Sequence, residues 1–190
     1  MKKIIIIGDG GHANSVLDVL LSNKKFKFSG FVGKTKKNKK AKWEDKDIKK
    51  IFKKVKYAVI GIGQIKSSSL RISIFKKLKK IGFKFPVLIS PNSYVSKSAV
   101  IREGTVVMHG AIINAKTLIG KNCIINSKAL IEHDVVIGDN CHISTNSTVN
   151  GNSRIGDNSF LGSSATVVNN IKISKSKFIK AGTLVKKNLK

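Results

Sequence analysis

The sequence has little acid, little arginine, little histidine and almost no cysteine. Only 10 Asp and Glu stand against 37 Lys and Arg in 190 residues, a formal net charge of +27. Such an excess first suggests a polyanionic partner. Yet only Arg71, Arg102 and Arg154 are arginines, and readers of phosphates and bases favour the guanidinium fork. The excess therefore reads mainly as a lysine bias on exposed faces, and neither a nucleic acid nor a membrane surface is the expected partner. No apolar run approaches the roughly 20 residues that span a bilayer. The four isoleucines after Lys3 are too few for the core of a secretion signal. Two cysteines cannot make a disulfide scaffold, and a cytoplasmic location is expected. With 41% hydrophobic and 25% charged residues, the chain is globular rather than disordered. Its length suits one large domain or two small ones.

Two periods divide it. Residues 1–90 alternate strand and helix patterns. Lys3–Ile7 is a β-rich apolar run that ends in Gly8-Asp9-Gly10-Gly11-His12, and Asn14–Leu21 reads as a helix. Phe28–Val32 and Tyr57–Ile62 read as strands, Ser69–Ile81 as a helix with Leu70, Ile74, Leu78 and Ile81 on one face, and Phe85–Ile89 as a fourth strand. This alternation predicts a small parallel α/β sheet. The lysine-dense stretch Lys34–Lys56 reads as a loop or a weak, exposed helix.

Residues 91–190 repeat every six. Stepping by six from Val95 to Val185 gives 16 positions, all aliphatic, through Ile101, Val107, Ile113 and onward without a miss. Two residues before each, small side chains such as Ala99, Thr105, Ala111, Thr117 and Cys123 dominate, and glycine follows the aliphatic at Gly120, Gly138, Gly156 and Gly162. Neither a helix nor a hairpin meander has this period. A solenoid with three flat faces does, each turn needing one inward plug and a tightly turning neighbour. The expected architecture is a small Rossmann-like α/β domain over 1–90, followed by a parallel β-helix of hexapeptide repeats over 91–190. Cys123 and Cys141, 18 residues apart, should stack in successive coils, as small inward residues rather than a disulfide.

Two constellations carry chemistry. The glycine cluster sits between a strand and a helix, where backbone N–H groups could cradle a phosphate or carboxylate. It is not a dinucleotide fingerprint, because Ala13 stands at the third glycine position. The second strand ends in Gly33-Lys34 with no acid for a ribose hydroxyl, which disfavours a nicotinamide cofactor. The second constellation is Glu132-His133-Asp134, an imidazole between two carboxylates, two residues past the inward Ile131. A neighbouring carboxylate can orient such a ring for general-base work. His109, His133 and His142 are separated by 24 and 9 residues, a poor spacing for metal ligands on one strand face, so no metal is expected.

A G-x-G-G-H opening on a small α/β domain, followed by hexapeptide repeats containing N-x-x-x-x-I-E-H-D from Asn126 to Asp134, resembles the sialic-acid O-acetyltransferase/nucleotide-4-aminosugar N-acetyltransferase family. The resemblance covers nearly the whole chain. It implies a left-handed β-helix, a homotrimer with sites between subunits, and acetyl-CoA as co-substrate. It also implies transfer to the 4-amino group of a UDP-, dTDP- or GDP-linked amino-deoxysugar, within surface-polysaccharide biosynthesis. By the same resemblance His133 matches the general base, Asp134 its supporting acid, and Asn126 an asparagine beside the reacting groups. Gly10, Gly11, His12 and Gly63 match the nucleotide-sugar side, where Gly33 and Lys34 are also expected as substrate contacts, and His142, Gly151 and Gly182 match the acetyl-CoA side. Where the family has an acidic pair after the second strand, this sequence has Gly33-Lys34, which leaves the nucleotide open.

One alternative is O-acetylation of a sialic-acid-like nonulosonic acid by the same base. Another is a polyanion-binding protein on an inactive coil, although the repeats lack the aromatic platforms that stack single strands. The charge distribution is compatible with steering phosphate-rich substrates. Residues 1–90 hold 24 basic and 5 acidic residues, residues 91–171 hold 6 and 5, and residues 172–190 hold 7 and none. The coils bearing His133 are thus almost neutral.

Overall fold

The computed structural model describes residues 1–35 and 40–190. Strand β1 (Lys2–Ile7) leads into helix α1 (Gly11–Asn23), then β2 (Phe26–Gly33), β3 (Ala41–Glu44), a 3₁₀ turn at Asp45–Asp47, α2 (Ile48–Lys54), β4 (Tyr57–Ile60) and α3 (Ser69–Ile81). The four strands form one parallel sheet in the order β3-β2-β1-β4. Side chains alternate across β1, so Ile4 and Ile6 pack with α1 on one side, while Ile5 and Ile7 pack with α2 and α3 on the other.

Two expectations for this half need correcting. The stretch after Lys34 is not merely a loop or an exposed helix: Ala41–Glu44 pairs with β2, and Ile48 and Ile51 of α2 are buried. Ile48, Ile51, Phe52 and Val55 lie at helical spacing, and the lysines between them mask the stripe. Residues 36–39 of that stretch lie outside the described residues. Phe85–Ile89 is not a fourth strand of the sheet either. Lys84 makes a single bridge to Tyr57, and Leu88–Ile89 pairs instead with Val106–Val107 as the first strand of the coil. Pro86 has no N–H to continue a ladder on the sheet.

From Leu88 onward the chain is a left-handed parallel β-helix of two-residue strands. A first face carries the strands that begin at Leu88, Val106, Ile124, His142, Phe160 and Phe178, a second those that begin at Tyr94, Ile112, Leu130, Thr148, Thr166 and Leu184, and a third those that begin at Val100, Leu118, Val136, Arg154 and Lys172. In every strand the second residue is the inward aliphatic, and these side chains form one continuous core. The turning residue is not the glycine after that aliphatic. It lies three positions past it, where Gly104, Gly110, Lys116, Asn122, Lys128, Asp134 and their successors to Gly182 take positive φ at intervals of six. Asparagine holds six of these positions, being among the few non-glycine residues that tolerate this conformation. Gly120 and Gly138 serve closeness instead: a Cβ there would meet the next coil's backbone or Asp side chain at 2.2–2.6 Å. Cys123 and Cys141 are buried free thiols in one ladder, the Cys141 N–H donating to Cys123 Sγ at 3.4 Å. A side-chain hydrogen bond with Cys123, together with burial, pushes the Cys141 thiol well above its usual range.

The α/β half sits on the first face. Leu88, Val106 and Met108 of the coil share one core with α1. Asn23 donates to the Ile89 carbonyl at 2.7 Å, and His109 bridges Ser90 Oγ at 2.7 Å and Asp18 Oδ2 at 3.0 Å. The strongest tie is Arg71, which is 1% exposed. Its guanidinium donates to the carbonyls of Ile60 at the end of β4 and Ile62 beyond it, and to both oxygens of Asn122 in the coil, at 2.5–3.2 Å.

Candidate active site

The carboxyl ends of all four parallel strands open on one pocket of about 500 Å³. Its wall combines Gly8–His12 after β1, Lys34 after β2, Asp45 after β3 and Gly61–Gly63 after β4, with Leu70 and Ile74 of α3 opposite. Ligands of open parallel sheets bind at such an edge. Gly10 caps α1 without a side-chain hydrogen bond, so the first N–H groups of a 13-residue helix are free to face an anion. A Cβ at Gly10 or Gly11 would meet nothing within 4 Å, so there the backbone itself forms the surface. Of the expected substrate contacts, Gly10, Gly11, His12, Lys34 and Gly63 line this pocket. Gly33, between the lining residues Val32 and Lys34, is buried, and Asp9 Oδ2 lies 2.7 Å from where its Cβ would stand.

The pocket connects to the first face of the coil through Gln64. His142 is buried, and its Nδ1–H donates to the Gln64 carbonyl at 2.6 Å, leaving Nε2 to accept from the Asn126 amide at 3.2 Å. Gln64 Nε2 in turn donates to the Asn140 carbonyl at 2.9 Å. Burial, reinforced by the Arg71 charge, lowers His12 to about 3. Burial lowers His142 to about 4, although the Gln64 carbonyl opposes the shift. Both rings are neutral at physiological pH and act as fixed hydrogen-bonding groups. Among the described residues, His12 Nε2 and Gln64 Oε1 are buried without a protein partner. At the rim, partial desolvation raises the Asp45 carboxyl from its ordinary value and Asp9 adds to this, while Lys77 and Lys34 oppose it.

His133 and Asp134 lie elsewhere on the same chain. Asp134 holds the positive-φ position at the corner between the second and third faces, and its Oδ2 accepts from His133 Nδ1 at 2.9 Å. The imidazole is exposed, with Nε2 turned toward the next coil, where a Cβ on Gly151 would stand 2.8 Å from it. Glycine at 151 is what gives the ring its seat. Gly182, also at positive φ, lies at the corner between the first and second faces. Within one chain the expected residues therefore form two groups. The pocket residues, Asn126 and His142 border the first face, whereas His133, Asp134 and Gly151 occupy the corner opposite it. Asp9, Asp45, Gln64 and Arg71 were not anticipated. Only Arg71 carried a signal, as the sole arginine of a lysine-rich half.

Residues 3–78 match the model of the PglD N-terminal domain. Residues 116–151 and 134–169 match the bacterial transferase hexapeptide model of six repeats. The chain thus joins a PglD-type N-terminal domain to bacterial transferase hexapeptide repeats. Among solved structures, this acetyltransferase is similar over 100% of its length to PerB from Caulobacter crescentus in complex with CoA and GDP-perosamine, at 28% identity, a TM-score of 0.92 and 91% of that chain. The acetyltransferase domain of PglB from Neisseria gonorrhoeae, in complex with acetyl coenzyme A, shares the fold at 24% identity and a TM-score of 0.89, with 99% of this chain and 92% of that one covered. WeeI from Acinetobacter baumannii shares it at 22% identity and a TM-score of 0.75, with 97% of each chain covered. No curated protein sequence matches the chain.

Proposed function

We propose that the protein transfers the acetyl group of acetyl-CoA to the 4-amino group of a nucleotide-linked amino-deoxysugar, with His133 as general base. The observation that carries this reading is the pocket at the strand ends, where the open start of α1 suits a diphosphate and the path through Gly63 and Gln64 leads to the coil. The likeness to PerB, solved with CoA and a GDP-sugar, supports the same substrate classes. A free nonulosonic acid would leave the diphosphate position empty, which favours the nucleotide-linked acceptor.

In this mechanism Asp134 accepts the Nδ1–H of His133, which leaves the Nε2 lone pair to take a proton from the sugar amine. The amine nitrogen attacks the thioester carbonyl, the C–N bond forms as the C–S bond breaks, and CoA leaves as its thiol. Backbone N–H groups of the coil polarise the carbonyl, each such donor contributing about 3 kcal/mol. His133 and the pocket border different sides of one prism, so the reading requires a neighbouring subunit to bring them together in a trimer. Gly151 and Gly182 would flank the coenzyme there, and the basic carboxy-terminal tail would attract its phosphates. Among the described residues no helix is long and apolar enough to cross a membrane. We assign the protein to the cytoplasm, where both substrates occur.

His133→Ala tests the base. Transfer to 4-amino-sugar nucleotides, followed by CoA release, should fall about 10²–10⁴-fold with unchanged thermal stability, since the ring is exposed. Wild-type rates in the variant would refute the mechanism. Faster turnover of nonulosonic acids than of any nucleotide sugar would refute the acceptor.

A further inference from the structure

The pocket's charge runs against that of its domain. Residues 1–90 carry only five carboxylates, and two of them, Asp9 and Asp45, line the pocket. A carboxylate repels a diphosphate, so the place of Asp45 there calls for a hydrogen-bond donor on the ligand.

Strand order supplies a ruler. The sheet runs β3-β2-β1-β4, and neighbouring strands lie about 4.8 Å apart. Phosphates held at the start of α1 would lie over the end of β1, with the sugar extending past β4 through Gly61–Gly63 toward the coil. In the other direction the ribose would lie over the end of β2, beside Lys34, and the base would reach the end of β3. Asp45 follows β3 directly. Two strand spacings, about 10 Å, match the distance from the phosphates of a nucleotide to the far edge of its base. Asp45 also borders a small cleft with Ile7, Ile48, Ile74, Leu78 and Lys77, four apolar side chains suited to a flat ring and one cation whose charge acts on the carboxylate. Among the described residues nothing donates a hydrogen bond to its carboxylate.

Resting on the nucleotide-sugar reading above, we infer that Asp45 reads the base and selects guanine, making the acceptor a GDP-linked amino-sugar. Two carboxylate oxygens accept two parallel N–H donors. Guanine presents such a pair side by side, at N1 and the 2-amino group. Uracil and thymine present one N–H between two carbonyl oxygens, which the carboxylate repels. Adenine and cytosine present an amino group beside a ring acceptor.

Isothermal titration of the intact protein with GDP, IDP, UDP and dTDP tests this. Wild-type protein should bind GDP at least about tenfold more tightly than UDP or dTDP, the discrimination expected of a bidentate contact. IDP, which keeps N1–H but lacks the amino group, should fall between. Asp45→Ala should remove the preference, weakening GDP while UDP binds at least as tightly as to the wild type, which also reports an intact pocket. Equal affinity for GDP and UDP in the wild type would overturn the inference, and so would an Asp45→Ala loss shared equally by all four ligands. Either result leaves the nucleotide-sugar reading standing. Binding of none of the four would overturn that reading as well.

Discussion

In the α/β half, apolar side chains from strands and helices far apart in sequence converge on two clusters either side of one sheet. In the coil, each face contributes a single inward aliphatic per turn, and every residue meets its counterpart 18 positions away. A defect in the first is felt by distant elements, while a defect in the second is confined to neighbouring coils. The difference bears on chemistry. A coil can mount a base on one corner and a docking surface on another face with little interference between them. A sheet can gather glycines, a lysine and two aspartates from four strand ends into one pocket. What unites the two is a small polar joint of Arg71, Gln64, Asn122, Asn140 and His142.

Breaking the joint should have the largest effect. Arg71→Met removes a buried guanidinium and strands the carbonyls of Ile60, Ile62 and Asn122. We expect a loss of about 3–5 kcal/mol and a split of the denaturant unfolding curve into two transitions. A single unshifted transition would mean that the halves are held by apolar contact alone.

Acid acts on the same joint more gently. His12 and His142 stay neutral when folded, at about 3 and about 4, but take up protons near pH 6.5 when unfolded. Unfolded chains therefore bind more protons below that value. Their contribution is full above pH 6.5 and is lost as pH falls toward the folded values. From pH 7.5 to 5 this amounts to about 2 kcal/mol for each ring. Urea melts at the two values should show it, with a smaller loss in His142→Gln, and an equal loss in that variant would assign the effect elsewhere.

The smallest change sharpens the view of the coil. Lys116 holds a positive-φ corner at 58°, which costs a side-chain-bearing residue about 1–2 kcal/mol. Lys116→Gly should raise stability by up to about 1 kcal/mol in thermal melts, with no change in catalysis. Destabilisation would show that the lysine side chain has a role of its own there.

The two halves also differed in legibility. The six-residue period named every inward plug of the coil from Val95 onward, because the fold repeats one contact, and missed Ile89 in the first strand. The positive-φ lattice was equally periodic, in Asn122, Asn140 and Asn158, but the glycines after the aliphatics drew the eye to the wrong turning position. In the α/β half β3 and α2 were obscured, since lysines surround Ile48 and Ile51 and pairing with β2 decides what propensity leaves open. Asp45 and Gln64 could not be read as site residues, because only the strand order brings them to the pocket. Nor could the sequence reveal that His133 stands on the corner opposite Asn126 and His142. Seven residues separate Asn126 from His133, and the coil's triangular section places them on different corners.

That separation yields the most direct test of the account, which holds that each active site draws its base from one subunit and its pocket from the next. Two inactive chains are needed: His133→Ala, which lacks the base, and Gly63→Phe, whose new side chain would fill the pocket beside His12. Each alone should be inactive. Unfolded and refolded together in equal amounts, they should recover about a quarter of wild-type transfer, because a site between random neighbours pairs an intact base with an open pocket in that share of cases. Activity no greater than that of either variant alone would contradict the shared site.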